Sequence, residues 1–290
     1  FVVCITIERA LAAIAFVASS ILAPSSREAT AHRLDLFGAL LSIVGFASLL
    51  TAIIEGPERG WGSGIVVGGF VLAAAALTGF VLHERRTAEP MLELSFFSRP
   101  RFAMGSLGIS VTFFAMFAMF FVLTQYLQYV KGYTPLTAGL AALPSAVTMI
   151  IVSPRAPRVV NRLGLGRAVP GGMVVLAVGL VLLSLAGRGT PYIWVAGCLV
   201  MTATGMGTVM PSLSAGILAS VPMNKAGVGS AVNDTTREVG GAIGLAVVGS
   251  VVNSIYRHQV AGALTELPPE LAEIARRNVG KAFQAVGMLG

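Results

Sequence analysis

Four polar residues, Asn233, Asp234, Arg237 and Glu238, interrupt an otherwise largely apolar stretch near the end of the chain. In a helix, Asp234 lies on the same face as Arg237, three residues on, and Glu238, four residues on. Charged groups at bilayer depth are rare and costly, so each one is a candidate functional residue with a partner. We expect Arg237 to neutralise one or both carboxylates inside a helix bundle.

The chemistry that such a cluster permits is proton carriage. Removal from water raises the pKa of a carboxyl group and a nearby guanidinium lowers it, so its charge can switch with access to either side. The alternative is a structural salt bridge near the end of the helix, within reach of water. If the helix begins near Asn224, Asp234 lies only about 15 Å along it. The sequence leaves both interpretations open.

Other reactive residue types show no catalytic or metal-binding pattern. Cys4 and Cys198 lie far apart in apolar stretches, so neither a metal site nor a disulfide framework is predicted. His32, His83 and His258 are scattered, and we expect them in solvated loops. The sequence contains no phosphate-binding GxxxxGK[ST] loop, no HExxH and no paired Asp residues at membrane depth. We therefore expect no enzyme activity, no metal and no cofactor.

The composition predicts an integral membrane protein. Of the 290 residues, 55% are hydrophobic and 11% charged, whereas about a quarter of a soluble domain is charged. The mean hydropathy is +0.82. So little charge cannot cover a water-facing surface, and the exterior must face lipid. The net charge of +7 does not indicate nucleic-acid binding, because the basic residues are spread through gaps between apolar stretches.

Apolar stretches of about 20 residues, the length that crosses a bilayer, recur along the chain. Seven are clearly apolar and an eighth is more polar: 1–22, 36–54, 64–83, 103–128, 136–153, 168–187, 191–219 and 226–256. Lys and Arg number eleven in one set of alternate gaps and three in the other, which places the first set in the cytoplasm. The predicted fold is an all-α, polytopic bundle of about eight transmembrane helices, with residue 1 and the polar tail 257–290 outside.

Met and aromatic residues are concentrated in the fourth stretch, and Met alternates with Thr in the seventh. Such side chains suit an adaptable cavity for varied apolar ligands, although each of them could instead face lipid or pack between helices. Three polar residues at the outer end of the fourth stretch are candidates for a polar rim. The cavity candidates are Met116, Phe117, Gln125, Tyr126, Gln128, Met201, Thr204 and Met206.

Two further segments are candidates for helix packing and conformational change. Gly240 and Gly244 form a GxxxG pair, with Gly241 between them, which allows two helices to approach closely. Residues 154–164 (PRAPRVVNRLG) form a dense basic segment after the fifth stretch. We expect this segment to be a cytoplasmic loop that anchors the topology.

Three sequence runs carry a resemblance to a known family. The first is residues 55–61 (EGPERGW). The second runs from residues 123–128 (LTQYLQ) through 132–135 (GYTP) and 138–140 (AGL) to the Leu-Pro pair that follows. The third is residues 226–244 (AGVGSAVNDTTREVGGAIG). Read together, they resemble the major facilitator superfamily, and more closely its fourteen-helix drug:proton antiporter branch.

The resemblance implies an arrangement for the whole chain. Residues 1–22 correspond to the last helix of an N-terminal half, and residues 23–102 to two inserted central helices with cytoplasmic loops. Residues 103–256 correspond to five helices of the C-terminal six-helix bundle. Residues 257–290 correspond to an outer loop that leads to a missing last helix. The remainder of the same transporter is therefore an expected partner.

The basic segment resembles a second copy of the family's cytoplasmic loop motif. In that motif an Asp interacts with a neighbouring helix end and stabilises one conformation. Arg158, Arg162 and Gly164 match the motif, whereas Asn161 stands in the place of the Asp and Pro157 in the place of a Gly. Because Asn can form a hydrogen bond but carries no charge, we expect weaker stabilisation on this side.

The resemblance also implies a function. It predicts a multi-pass protein of a bacterial cell membrane that exports drugs or other amphipathic small molecules in exchange for protons, by alternating access. The proton gradient would supply the energy without a cofactor. The expected partners are the lipid bilayer, the substrate and the rest of the transporter, and nucleic acid is not among them. Export of an endogenous metabolite or lipid, and a fragment that does not transport, are the alternatives, and a membrane-embedded enzyme is less favoured.

Overall fold

The computed structural model describes residues 9, 12–13, 16–18, 35–87, 94–222 and 226–260. Residues 1–34 and residues 35–290 form two separate compact units. In the first unit the described residues are helical, and the rest of the predicted span 1–22 lies outside the described residues. So does most of the predicted outer loop at the end of the chain. All elements named below belong to the second unit.

A helical hairpin opens the second unit. Helix α1 (Leu36–Arg59) begins after Asp35, whose carboxylate accepts a hydrogen bond from the N–H group three residues on. Helix α2 (Gly64–Glu84) begins after Ser63, whose hydroxyl caps it in the same way. Between them Gly60 has a φ of +89°, a conformation that only glycine adopts easily. Helix α1 therefore continues beyond its predicted end at residue 54, as far as this turn.

Seven more helices follow, and several are joined by short turns of other helix types. In chain order they are a 3-10 turn (Leu94–Ser98), α3 (Pro100–Gln125), a π-helical turn (Tyr126–Val130), α4 (Pro135–Ala141), α5 (Leu143–Val152), a second 3-10 turn (Ser153–Arg155), α6 (Ala156–Leu163), α7 (Leu165–Ser184), α8 (Tyr192–Ala219) and α9 (Ala226–Val260).

The fifth apolar stretch and the basic segment after it form one bent helix in three pieces, so the predicted loop at residues 154–164 is wrong. A turn separates α4 from α5 just before Pro144, whose ring nitrogen has no hydrogen to donate. The basic segment after α5 is then helical up to Gly164, which ends α6 with a φ of +75°. Pro154 and Pro157 are compatible with helix here because each lies in the first turn of its piece.

Seven helices in the described residues are long and apolar enough to cross a membrane. They are 36–56, 64–84, 100–130, 135–163, 165–184, 192–219 and 226–256. They coincide with seven of the eight predicted stretches, with ends that differ by up to about ten residues. The described residues contain no β-strand, which confirms the predicted all-α, polytopic fold.

Helix α3 is central in the packing of the described bundle. It packs against α9 and α8, while α7 and α5 pack on α8, and α1 packs on both α2 and α9. Two buried apolar clusters lie along α3, one near each of its ends: Phe96, Phe102, Ile109, Val209, Leu213, Ile217, Val221 and Val232, and then Met119, Leu123, Leu127, Ala138, Ala141, Val195 and Leu199. Many other large apolar side chains are exposed at the outside of the bundle, as contact with lipid requires.

Small residues bring α7 and α8 into backbone contact. A Cβ atom at Gly205 of α8 would lie 2.6 Å from the carbonyl oxygen of Gly172 and 2.6 Å from the nitrogen of Leu176. A Cβ atom at Gly179 of α7 would lie 2.9 Å from the nitrogen of Thr202. In lipid, where helix association depends on van der Waals packing, such contacts hold the helix pair together.

Candidate functional site

Arg237 is the centre of the charged cluster and contacts three helices. Its Nη2 atom donates a hydrogen bond to Ser214 Oγ of α8 at 2.9 Å. Its guanidinium carbon lies 5.6 Å from the centroid of the Phe113 ring of α3, a distance at which an aromatic ring attracts a cation. The Arg237 side chain is 35% exposed. The guanidinium is therefore held at the junction of α3, α8 and α9 and remains accessible from one side.

Asp234 is the carboxylate that pairs with Arg237. The distance from Arg237 Nη1 to Asp234 Oδ1 is 3.7 Å, and the Asp234 side chain is 65% exposed. Ion pairs with this much exposure stabilise a fold by at most about 1 kcal/mol. Glu238 is exposed, and in the described part of the chain it forms no ion pair with Arg237. Arg237 thus meets one carboxylate, at the edge of the described bundle rather than inside it.

Asn233 differs from its acidic neighbour because it is buried, with 6% of the residue exposed. Its Nδ2 atom lies 3.4 Å from Asp234 Oδ1, a long hydrogen bond. Asn233 and Arg237 are four residues apart and so lie on one face of α9. The four predicted residues therefore divide into two that enter the helix interface and two, Asp234 and Glu238, that are exposed.

The glycine pair of α9 lies directly against α3. A Cβ atom at Gly244 would lie 2.5 Å from the carbonyl oxygen of Phe114 and 2.8 Å from its Cα atom. A Cβ atom at Gly240 would lie 2.7 Å from the Cα atom of Ser110. The two backbones can touch only because these positions lack side chains, as the GxxxG spacing predicts.

A cavity of about 450 Å³ opens along the C-terminal half of α3. It brings together three of the predicted cavity residues, Met116, Phe117 and Gln125. Phe117 also covers Gly241, where a Cβ atom would lie 2.9 Å from the ring. The complete lining is Met116, Phe117, Phe120, Phe121, Thr124, Gln125 and Leu245. The wall is therefore mostly aromatic and sulfur-containing, with one amide and one hydroxyl group.

A second cavity, of about 420 Å³, lies between α3 and α7. Among the predicted residues Tyr126 alone lines it. The other lining residues are Phe114, Ala115, Ala118, Met119, Val122, Leu123, Leu180, Leu183, Ser184, Ala186 and Val248. The α3 members recur every three or four residues, a spacing that could have identified this face, whereas the α7 members depend on how α7 packs.

The remaining cavity candidates, Gln128, Met201, Thr204 and Met206, line neither of these two cavities. Met206 is 3% exposed and packs inside the bundle. The hydroxyl of Thr204 donates to a carbonyl of its own helix at 2.7 Å. Because α8 packs against α3, α5 and α7, Met206 serves as a contact between helices, whereas Met201 and Thr204 are only partly buried.

A set of hydrogen bonds, which we call the loop clasp, joins the end of α3 to the loop between α7 and α8. The hydroxyl of Tyr126 donates to the carbonyl of Gly187 at 2.9 Å. Lys131 Nζ donates to the carbonyls of Arg188 at 2.8 Å and Thr190 at 2.5 Å. The same ammonium group lies 5.9 Å from the centroid of the Tyr126 ring. Tyr126, predicted as a rim residue, therefore also holds this loop.

The basic segment presents its charges to solvent from helix α6. Arg158, Asn161 and Arg162 are exposed. Gly164 donates its N–H to the carbonyl of Val160 at 2.8 Å and so caps the helix. The predicted weakening caused by Asn161 concerns an interaction between Asn161 and another helix end, and it stays a prediction.

His83 was expected in a solvated loop, and the structure corrects this. It lies in the last turn of α2, with Nε2 2.8 Å from Asp35 Oδ2 and its ring 5.1 Å from the centroid of Phe37. The N–H of Gly38 holds the pKa of Asp35 below its usual value, and His83 adds to this effect against an opposing contribution from burial. Among the described residues, no group of three His, Cys, Asp or Glu side chains could hold a metal ion.

Comparison with known proteins gives a consistent result. The family model of the Major Facilitator Superfamily matches residues 1–245. Multidrug resistance protein Stp of Mycobacterium tuberculosis is 35% identical over 222 residues, which are 77% of this chain and 41% of the relative. The Methylenomycin A resistance protein of Streptomyces coelicolor is 29% identical over 86% of this chain and 52% of its own length. Multidrug efflux pump LfrA of Mycolicibacterium smegmatis is 28% identical over 90% of this chain and 51% of its own length.

The chain spans about half the length of the curated relatives it matches. These relatives are bacterial, and seven helices of the described residues are apolar enough to cross a membrane. The chain is therefore a multi-pass protein of the bacterial inner membrane. The family match covers most of the chain and confirms the resemblance noted in its sequence runs. The chain belongs to the Major Facilitator Superfamily.

Proposed function

We propose that this chain is part of a proton-coupled exporter of amphipathic small molecules that works by alternating access. The observation that carries the proposal is the Asp234–Arg237 pair, which lies at an accessible edge of α9. We assign the proton-carrying role to Asp234 because it is the carboxylate that both pairs with Arg237 and meets water. The next turns of α9, which contain the glycine pair, touch the α3 backbone without intervening side chains. A change of charge on α9 is therefore coupled directly to α3.

The cavity along α3 supports the choice of substrate. Its volume of about 450 Å³ lies in the range of small-molecule sites, roughly 300–1,000 Å³. Aromatic and Met side chains can adapt to varied apolar shapes, and Gln125 and Thr124 offer polar groups for a single polar end. The relatives named for multidrug and methylenomycin resistance are consistent with an amphipathic drug or antibiotic.

The energy source and the partners belong to the same proposal. The proton gradient drives export, and no cofactor takes part. Lipid surrounds the exposed apolar surface of the helices. The relatives are about twice as long as the matched region, which supports the remainder of the transporter as the partner with which this bundle alternates access. Transport rather than catalysis is the proposed activity.

The test replaces one carboxylate at a time in the protein expressed from its complete gene and reconstituted in lipid vesicles. The variants are Asp234→Asn and, as the matched control, Glu238→Gln, since both residues are exposed carboxylates on α9. A fluorescent lipophilic cation such as ethidium is the transported probe. We expect Asp234→Asn to abolish export driven by a pH gradient and to retain exchange of labelled for unlabelled probe. Glu238→Gln should retain both activities.

Two outcomes contradict the proposal. If Asp234→Asn exports the probe at the wild-type rate under a pH gradient, Asp234 is a structural partner of Arg237. If Asp234→Asn loses exchange of the probe as well as gradient-driven export, the role of Asp234 is not confined to carrying protons.

A further inference from the structure

Three buried polar atoms near the start of the α3–α9 interface have no hydrogen-bond partner among the described residues. They are Ser106 Oγ, Asn233 Oδ1 and Arg237 Nε. Ser106 and Asn233 are only 5% and 6% exposed. Leaving a buried polar atom unsatisfied costs roughly 1–3 kcal/mol, and in folded proteins nearly all such atoms bond to protein or to ordered water. Ser106 belongs to α3, and Asn233 and Arg237 belong to α9.

The register of the two helices determines which residues face each other. Gly240 contacts the backbone of Ser110, and Gly244 contacts the backbone of Phe114. Both steps are four residues in the same direction, so α3 and α9 run parallel. A residue one turn earlier on α3 therefore faces a residue one turn earlier on α9.

This register places Ser106 opposite the turn of α9 that runs from Asn233 to Arg237. Ser106 is one turn before Ser110, whose hydroxyl donates to the carbonyl of Thr236 at 3.2 Å. Ser106 therefore faces the turn of α9 that contains Thr236, which is flanked by Asn233 and Arg237. Asn233 and Arg237 share one face of this helix because they are four residues apart.

We propose that Ser106 Oγ, Asn233 Oδ1 and Arg237 Nε bind one water molecule between α3 and α9. The water oxygen accepts the hydrogen of Arg237 Nε, and its two hydrogens are donated to Asn233 Oδ1 and Ser106 Oγ. Three hydrogen bonds are typical of a buried water. The neighbouring Val232 and Phe113 belong to the apolar cluster that contains Ile109, so the site is bordered by apolar side chains.

The mixture of donors and acceptors favours water over an ion. A cation here would lie beside the Arg237 guanidinium and be repelled by it. An anion would meet the carbonyl oxygen of Asn233, whose Nδ2 group is directed at Asp234. A water molecule satisfies the donor and both oxygen atoms without adding charge.

The water adds a third anchor to Arg237. Ser214 Oγ holds Nη2 at 2.9 Å, and the Phe113 ring lies 5.6 Å from the guanidinium carbon. With Nε also held, Nη1 is directed towards Asp234. The water site itself does not depend on the proposed export function, and only this positioning role rests on it.

The first test measures thermal stability of the protein from its complete gene in lipid nanodiscs. Ser106→Ala is compared with Ser212→Ala, a serine that is 6% exposed and already donates to the carbonyl of Thr208 at 2.6 Å. If water is bound, Ser106→Ala removes one of its partners. Its apparent melting temperature should then fall about 2–4 °C below that of Ser212→Ala. If the site is dry, Ser106→Ala removes an unsatisfied hydroxyl, and a melting temperature equal to or above the control overturns the proposal.

The second test observes the site directly by electron cryomicroscopy of the wild type and the Asn233→Leu variant. We expect wild-type density within hydrogen-bond distance of all three atoms, and its loss in the variant. A map that resolves other buried waters but none here refutes the proposal. A melting temperature that rises with chloride concentration refutes water in favour of an anion. Neither test involves transport, so the failure of the exporter proposal would leave both unaffected.

Discussion

The contact between Gly244 and α3 predicts a large effect from a single methyl group. In Gly244→Ala the new Cβ atom would lie 2.5 Å from the carbonyl oxygen of Phe114 and 2.8 Å from its Cα atom. Ordinary contacts are about 3.5 Å, so the two backbones must separate by roughly 1 Å. Both contacting atoms are backbone atoms, which cannot rotate away. Such overpacking costs about 1–3 kcal/mol, against a gain of about 0.5–1 kcal/mol from replacing a helical glycine.

The matched control is Gly197→Ala in α8, a helical position where a Cβ atom has nothing within 4 Å. This variant gains helix propensity without a clash, so its melting temperature should equal or exceed that of the wild type. Gly244→Ala should melt several degrees lower and should lose pH-driven export of the probe in vesicles. A Gly244→Ala protein as stable and as active as Gly197→Ala would show that α3 and α9 are not in backbone contact in the membrane.

Two further predictions concern the loop clasp and the cap of α1. Lys131→Met removes two hydrogen bonds to loop carbonyls, each worth roughly 1 kcal/mol or more. An impermeant maleimide should therefore label Gly189→Cys several-fold faster in this background than in Lys131→Arg, and equal rates would contradict the clasp. Because the pKa of Asp35 is lowered from 3.8, its carboxylate stabilises the fold above that pH and loses this effect as pH falls through the folded value. Asp35→Asn should thus lower the melting temperature at neutral pH, and the difference should shrink below pH 3.8.

The charged cluster shows how far residue spacing can specify a site. The spacing of Asp234 and Arg237 predicted an ion pair on one face of α9, and the pair is present at 3.7 Å. Spacing along one helix did not indicate that Ser214 and Phe113 would hold the guanidinium, because they belong to α8 and α3. It also gave no measure of burial, so Asp234 was expected inside the bundle, whereas it lies at the edge of the described part of the bundle.

The predicted cavity residues also show which features follow from the sequence and which depend on helix packing. Met116, Phe117 and Gln125 lie within ten residues of one another on α3, and they line one cavity as a single helix face. Met201, Thr204 and Met206 of α8 were also predicted from residue type, yet they line neither cavity, and Met206 is buried among the helices that pack on α8. Residue type predicted both groups as cavity residues, and the packing of neighbouring helices decided which group lines a cavity.

By itself the sequence determined that the chain crosses a membrane as a series of helices, because the length of an apolar stretch and the positions of Lys and Arg act locally. It also determined that α9 has a face for close packing, since GxxxG is a property of one helix. Only the tertiary structure decided the rest. It showed that residues 154–163 are helical, that His83 meets Asp35 across 48 residues, and that Gly244 rests on Phe114. Such pairings depend on the register between helices, which many side-chain contacts set together and no local spacing encodes.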